Sequence, residues 1–142
     1  MRPHHATEKD WPEVEALLNA SSLSIEGVHE HIAQYFIVRD NAGLLGCAGV
    51  ERYDTTGVLR ALAVVQRARS AGLGELLISA VVADGRRQGV ESIVLQTRTA
   101  GGYFARLGFT PTCLADLPPI VRRSREFNRN ESDIGTLMQI CL

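Results

Sequence analysis

The sequence predicts an α/β (α+β) chain, a mixed sheet of about seven strands with helices on both faces. Three observations predict it. Residues 35–65 hold three apolar, β-branched runs parted only by Asp40-Asn41-Ala42-Gly43 and Asp54-Thr55-Thr56-Gly57, which reads as an antiparallel meander. Residues 59–89 pass from an apolar run through a basic, glycine-bearing turn into helical spacing. The apolar run at residues 92–96 follows that helix, so it should lie parallel to the strand before it.

In chain order, residues 2–6 read as a short edge strand. Thr7, with Asp10 three residues on, opens a helix over residues 8–20, with Trp11, Val14, Leu17 and Leu18 on one face. Residues 21–24 are a break, and residues 25–34 a weaker helix interrupted by Gly27. Strands follow at residues 35–39, 44–53 and 58–65. Residues 61–65 are apolar at every position, which predicts burial on both faces. Residues 73–88 form the central helix, with Leu73, Leu76, Leu77, Ala80 and Val81 inward and Gly89 as its stop. Gly85 within it costs ~1 kcal/mol against alanine. After the strand at 92–96, residues 102–107 form a short helix ending at Gly108, and residues 109–114 a strand. Pro118-Pro119, with Ile120 and Phe127 one heptad apart, predicts a short helix within residues 116–128. Residues 130–133 are a polar turn and residues 135–142 a final strand. There is no repeat, low-complexity tract or linker, so a single domain over residues 1–142 is expected.

Composition narrows the class. Apolar residues are 45% of the 142, charged residues 22%, and the net charge is −1, so bulk attraction to nucleic acid or membrane is not expected. No apolar run approaches the ~18 residues of a spanning helix. The start, Met1-Arg2-Pro3-His4-His5, lacks the apolar core of a signal peptide, and a cytoplasmic location is expected. Cys47, Cys113 and Cys141 are far apart and odd in number, so neither a disulfide framework nor a metal site is expected. All three lie in apolar stretches and are expected to be buried.

The turn at residues 66–74 carries the chemistry. Backbone N–H groups at a helix start are unpaired and partly positive, and glycines let the backbone approach an anion closely. The turn therefore reads as a pyrophosphate cradle. A P-loop needs a lysine and a hydroxyl after its last glycine, and Gly74 is followed by Glu75 and Leu76. A dinucleotide fold needs a third glycine where Leu77 stands, and an acid closing the next strand, where residues 92–96 end without one.

Arg69-Ser70-Ala71-Gly72-Leu73-Gly74 matches Arg/Gln-x-x-Gly-x-Gly/Ala and resembles the acetyl-CoA signature of the GNAT acetyltransferases. Leu62-Ala63-Val64 resembles that family's pantetheine-binding strand. Tyr103-Phe104-Ala105-Arg106-Leu107-Gly108-Phe109 resembles its Phe-Tyr-x-x-x-Gly-Phe segment. The element order matches the family's over essentially the whole chain. Gly49-Val50-Glu51, Leu59-Arg60-Ala61, Leu117-Pro118 and Glu126-Phe127 are similar to GNAT proteins encoded beside arsenic-resistance genes. Some relatives of that group acetylate amino acids bearing an arsinic or phosphinic group.

The resemblance implies a mixed, mostly antiparallel GNAT sheet, acetyl-CoA as cofactor, a small-molecule amine as acceptor and a homodimer. The homodimer is also suggested by the apolar C-terminal strand. It puts pantetheine along Leu62, Ala63 and Val64, and pyrophosphate on the N–H groups of Ser70, Ala71, Gly72, Leu73, Gly74 and Glu75, with Arg69 neutralising phosphate. A backbone N–H near Val64 would stabilise the thioester oxygen. Glu51, an acid in an otherwise apolar strand, is the expected base, ahead of His29 and His31. The family's proton-donating tyrosine falls on Phe104 here; Tyr103, one residue earlier and about 100° away on a helix, is the candidate acid for the leaving thiolate, with packing against cofactor as its other reading and water or the amine's own proton as other donors. Arg60, alone in an apolar strand, is an expected substrate or ion-pair arginine; Arg122, Arg123, Arg125 and Arg129 read as a solvated face. Many of the arsenic-linked relatives carry Cys-Pro where Asn130-Glu131 stands. Two other readings are a non-catalytic acyl-CoA sensor and an acetyltransferase acting on a protein amine.

Overall fold

The computed structural model describes residues 2–69, 71–130 and 133–142. Its strands are β1 (His4–His5), β2 (Tyr35–Asp40), β3 (Gly43–Tyr53), β4 (Thr56–Val64), β5 (Ser92–Thr97), β6 (Thr110–Pro111) and β7 (Thr136–Cys141). Its helices are α1 (Trp11–Ala20), α2 (Leu73–Arg87), α3 (Gly101–Arg106) and α4 (Pro119–Arg122). Among the described residues the strands hydrogen-bond in one seven-stranded mixed sheet, in the order β1-β2-β3-β4-β5-β7-β6. By internal contacts the chain clusters into Met1–Val50 with Arg60–Asp84, and Glu51–Leu59 with Gly85–Leu142.

In the first unit β1 runs antiparallel to β2, with His4 opposite Ile37, and β2 antiparallel to β3. Thr7 N–H donates to Asp10 Oδ2 at 2.8 Å, fixing the short 3-10 turn Glu8–Asp10 that leads into α1. Arg39 Nη2 donates to Asp10 Oδ1 at 2.6 Å and Glu13 Oε1 at 2.7 Å, tying α1 to the hairpin. Val14, Leu17, Leu18, Val28, Tyr35, Ile37, Cys47 and Ala63 form the core. A Cβ on Gly49 would come within 2.5 Å of the buried Tyr35 ring, so only glycine fits there.

The helix expected over residues 25–34 is instead a turn at residues 25–28 followed by a 3-10 segment, His29–Gln34. Gly27 takes φ +76°, and His31 leaves helical geometry at φ −115°, ψ 23°. Residues 61–65 are not buried on both faces: Ala63 alone is buried, and Ala61, Leu62, Val64 and Val65 are half-buried. On α2 the buried positions are Leu73, Leu77, Ile78, Val81 and Gly85, while Leu76 is 37% exposed. At about 100° per residue the stripe is centred near Val81, which turns Leu76 off it and leaves Ala80 at its margin. Cys47 is buried, as expected, but Cys113 and Cys141 are exposed at strand and turn ends.

In the second unit β4 and β5 run parallel, with Thr56, Gly57 and Val58 opposite Ser92, Ile93 and Val94. β5 pairs with β7 antiparallel along its whole length, and β6 pairs with β7 on the other side. β7 is thus an interior strand of the sheet. Val58, Val94, Leu117, Val121, Phe127 and Leu137 make the core. The strand expected over residues 109–114 shortens to β6, beyond which Thr112 N–H makes one further bond to Leu137 O at 3.0 Å. The helix expected within residues 116–128 stops at Arg122. A separate turn follows, in which Phe127 and Asn128 N–H both donate to Ser124 O. Arg122, Arg123, Arg125 and Arg129 are exposed, as expected. Among the described residues no helix is long and apolar enough to cross a membrane, and no cluster of His, Cys, Asp and Glu could hold a metal.

Candidate functional site

Most of the residues expected to hold a cofactor fall in the first unit, on β4 and the turn that follows it. β4 changes character at Ala61. Thr56, Gly57, Val58, Leu59 and Arg60 are all buried, whereas Ala61 adopts φ +58°, a left-handed conformation that L-residues rarely take, and the strand beyond it is half-bare. Such a residue re-aims the backbone of its strand. Cys47 holds the kink from β3, its Sγ donating to Ala61 O at 3.2 Å. Burial pushes the Cys47 thiol up to about 12, so it stays a neutral donor. Nothing in the sequence around Ala61 marks the kink.

Leu62, Ala63 and Val64 follow. Gly46 of β3 lies against them: a Cβ there would sit 2.9 Å from Ala63 O and 3.1 Å from Leu77 Cδ1. That close approach seats the Ala63 backbone beside the first turns of α2. Val65 N–H returns to β3, donating to Leu45 O at 2.8 Å.

The turn then passes through a 3-10 segment, Gln66–Ala68, to the start of α2. Arg69 is exposed, and its Nε donates to Val64 O at 3.2 Å, bringing the expected phosphate-neutralising cation onto the end of β4. Arg67 is used differently. It forms a two-point pair with Asp40, at 2.9 and 3.1 Å, that fastens the turn to the β2–β3 hairpin. The Arg67 guanidinium holds the Asp40 carboxyl down at about 2. Gly72 takes φ +77°, and a Cβ built on it would meet no atom of the described residues within 4 Å, so the turn is open on this side. Leu73, Gly74 and Glu75 begin α2, whose first N–H groups have no intrahelical acceptors. Ala71 precedes them, and Ser70 lies outside the described residues.

Arg60 is only 4% exposed, and its Nη1 donates to the backbone carbonyl of Glu26 at 2.7 Å. His29 stacks on Trp11, with centroids 4.6 Å apart and planes 4° from parallel, and bonds Glu8. An open groove of about 620 Å³ lies along α2, lined by Arg2, Pro3, His4, Leu76, Ser79 and Ala80. It includes none of the residues expected to hold cofactor.

Glu51 and Tyr103 belong to the second unit. Glu51 is 6% exposed on β3, and Tyr53 OH donates to its Oε1 at 3.2 Å, the two side chains sharing one face of the strand. Phe104, at the family's tyrosine position, is buried edge-on between Tyr103 (5.3 Å between centroids) and Phe109 (5.6 Å). Tyr103 is half-buried on α3.

Comparison with known proteins bears on the family and the fold. The family model for the acetyltransferase (GNAT) domain matches residues 31–111. An amino-acid acetyltransferase of Neisseria meningitidis serogroup B is 27% identical over 113 residues, covering 78% of this chain and 26% of that protein. The chain thus spans about a quarter of the curated amino-acid acetyltransferases it matches. An uncharacterized N-acetyltransferase of Chlorobaculum tepidum is 30% identical over 87 residues, covering 61% of this chain and 56% of that protein. The N-acetylglutamate synthase of Neisseria gonorrhoeae, solved with coenzyme A and N-acetyl-glutamate, superposes with a TM-score of 0.86 at 24% identity, covering 99% of this chain and 34% of that one. Rv2747 of Mycobacterium tuberculosis, solved with CoA and NLQ, superposes with a TM-score of 0.85 at 17% identity over 100% of this chain and 99% of that one. The family match takes in more than half of the sequence, from the turn before β2 through the kinked β4, the glycine turn and α3, and on that ground the protein belongs to the GNAT acetyltransferase domain family.

Proposed function

We propose that residues 1–142 act as one acetyltransferase domain, moving the acetyl group of acetyl-CoA onto the amine of an amino acid. The observation that carries this reading is the half-bare apolar end of β4 running into an open, left-handed glycine at the start of α2. Leu62, Ala63 and Val64 would hold pantetheine through their backbone. Ala71, Gly72, Leu73, Gly74 and Glu75 would hold pyrophosphate through theirs, with Arg69 adding positive charge. When bound, acetyl-CoA supplies an activated acetyl thioester.

The chain's own residues would do the rest. Glu51 would take the proton of the attacking amine, its carboxylate held by the Tyr53 hydroxyl. A backbone N–H near Val64 would donate to the thioester oxygen as charge develops there. Buried Phe104 carries no proton, so the leaving thiolate would be protonated by Tyr103 or by water. The choice of an amino acid as acceptor rests on the amino-acid acetyltransferases among the relatives. An amino acid with a second anionic group, arsinic and phosphinic included, is the narrower proposal, as the arsenic-linked motifs suggest. A homodimer is proposed on the resemblance, and a cytoplasmic location on the lack of a long apolar run.

A thiol-release assay with acetyl-CoA against α-amino acids, including those bearing a second carboxylate, phosphinic or arsinic group, tests the reading. At least one should be turned over, and Glu51→Gln should cut kcat/KM by about 100-fold while leaving CoA binding intact. CoA binding without turnover of any amine would favour an acyl-CoA sensor. Absence of CoA binding would overturn the cofactor assignment. An unchanged rate in Glu51→Gln would remove Glu51 as the base.

A further inference from the structure

Arg60 is buried, yet it stands in the strand that leads to the cofactor residues. A buried guanidinium needs acceptors, and charge-assisted bonds of this kind are strong. One of its acceptors is the carbonyl of Glu26, at 2.7 Å, in the turn at residues 25–28. That turn is closed by Val28 N–H donating to Ile25 O at 3.1 Å, and it turns through Gly27 at φ +76°. Val28 is fully buried, and Ile25 packs on the same core cluster as Ala61 and Val65. The turn is therefore fixed to the kinked half of β4 by one polar bond and one apolar contact cluster. The residue next to Arg60 is Ala61, where β4 leaves regular geometry.

We infer that Arg60 is a positioning residue that couples the turn at residues 25–28 to occupancy of the adjoining end of β4 by acetyl-CoA. This rests on the cofactor reading above. Backbone bonds made to Leu62, Ala63 and Val64 order the kinked end of β4, and Arg60 passes that order to the turn through Glu26 O. The role differs from direct binding of an anionic substrate, which the sequence suggests for Arg60.

Hydrogen exchange tests it on the whole chain without any acceptor. The Val28 amide reports closure of the turn. Saturating CoA or acetyl-CoA should slow its exchange by about tenfold in the native protein, along with amides of the Leu62–Val64 and Gly72–Glu75 stretches. In Arg60→Met the response at Val28 should vanish while CoA affinity stays within about threefold of native. Arg60→Lys should restore part of it. Should Arg60→Met fail to fold, Gly27→Ala loosens the turn without touching Arg60 and should likewise lose the Val28 response while keeping CoA affinity. A Val28 response that persists in Arg60→Met overturns the inference. So does a native protein in which the cofactor stretches respond and Val28 does not. If no amide in the cofactor stretches responds, the cofactor reading itself falls, and this inference with it.

Discussion

The two halves of β4 have similar apolar sequences and opposite environments. From Thr56 to Arg60 every residue is buried; from Ala61 to Val64 only Ala63 is. The second half is the more uniformly apolar, since the first carries Thr56 and Arg60. Apolarity in the first half serves packing against neighbours already present. In the second half Ala63 still packs into the core, while Ala61, Leu62 and Val64 stay half-open, and a glycine turn follows directly. The contrast separates a stretch that completes a core from one proposed to take pantetheine.

A matched pair of substitutions should make the contrast measurable. Leu59 is 5% exposed, and Leu59→Ala should cost about 2–4 kcal/mol of stability through lost transfer energy and the cavity left behind. Leu62, half-buried three residues on, should cost only about 1 kcal/mol or less when replaced by alanine. Urea midpoints for the two variants check this. Equal losses would mean that the second half packs as tightly as the first. CoA affinity should reverse the ranking, falling more in Leu62→Ala than in Leu59→Ala.

Gly72→Ala probes the next position along the same path. The left-handed φ of +77° should cost about 1 kcal/mol for any L side chain, although the Cβ itself meets no atom. The larger effect should be on binding, because the methyl would occupy space reserved for phosphate. A drop in CoA affinity of more than about tenfold by calorimetry, beside that modest loss of stability, is the expected result. Unchanged affinity would place the phosphate elsewhere.

The sequence made some of this legible and hid the rest for physical reasons. Asp40 and Gly43 marked the first hairpin because turn chemistry is local. Gly72-Leu73-Gly74 marked the turn into α2 because a left-handed φ favours a residue without a side chain. The bareness of residues 61–65 was hidden, since an apolar run looks the same whether protein or ligand covers it. The φ of Ala61 was hidden because nothing local demands it; Cys47, fourteen positions away, bonds its carbonyl. Arg60 was visible as an oddity, but one of its partners is a backbone carbonyl, and any residue at position 26 supplies one. Leu76 was read inward because the helical stripe was drawn one residue off its centre. The solvent exposure of Cys113 and Cys141 was missed because apolar neighbours in sequence do not imply burial at the end of a strand.

The smallest expected effect distinguishes the two cations of the turn. Arg67 is engaged by Asp40, whereas Arg69 reaches Val64 O at the bare end of β4. The Arg67 hydrogen bonds, the main cause, hold the Asp40 carboxyl down at about 2, below the usual carboxylate range. A depressed carboxylate stabilises the fold above its unfolded pKa, and that contribution is lost as pH falls through the folded value. The stability difference between native protein and Asp40→Asn should therefore be fully present above about pH 4 and shrink toward zero near pH 2. Both groups face solvent, so added salt should diminish it. CoA affinity at neutral pH should stay within about twofold in Asp40→Asn, because the pair fastens the turn to the hairpin and Arg69 is the cation proposed to meet the phosphate. A marked change in affinity would instead make Arg67 a phosphate ligand that Asp40 holds in reserve, and would extend the ligand-facing region one turn further from β4.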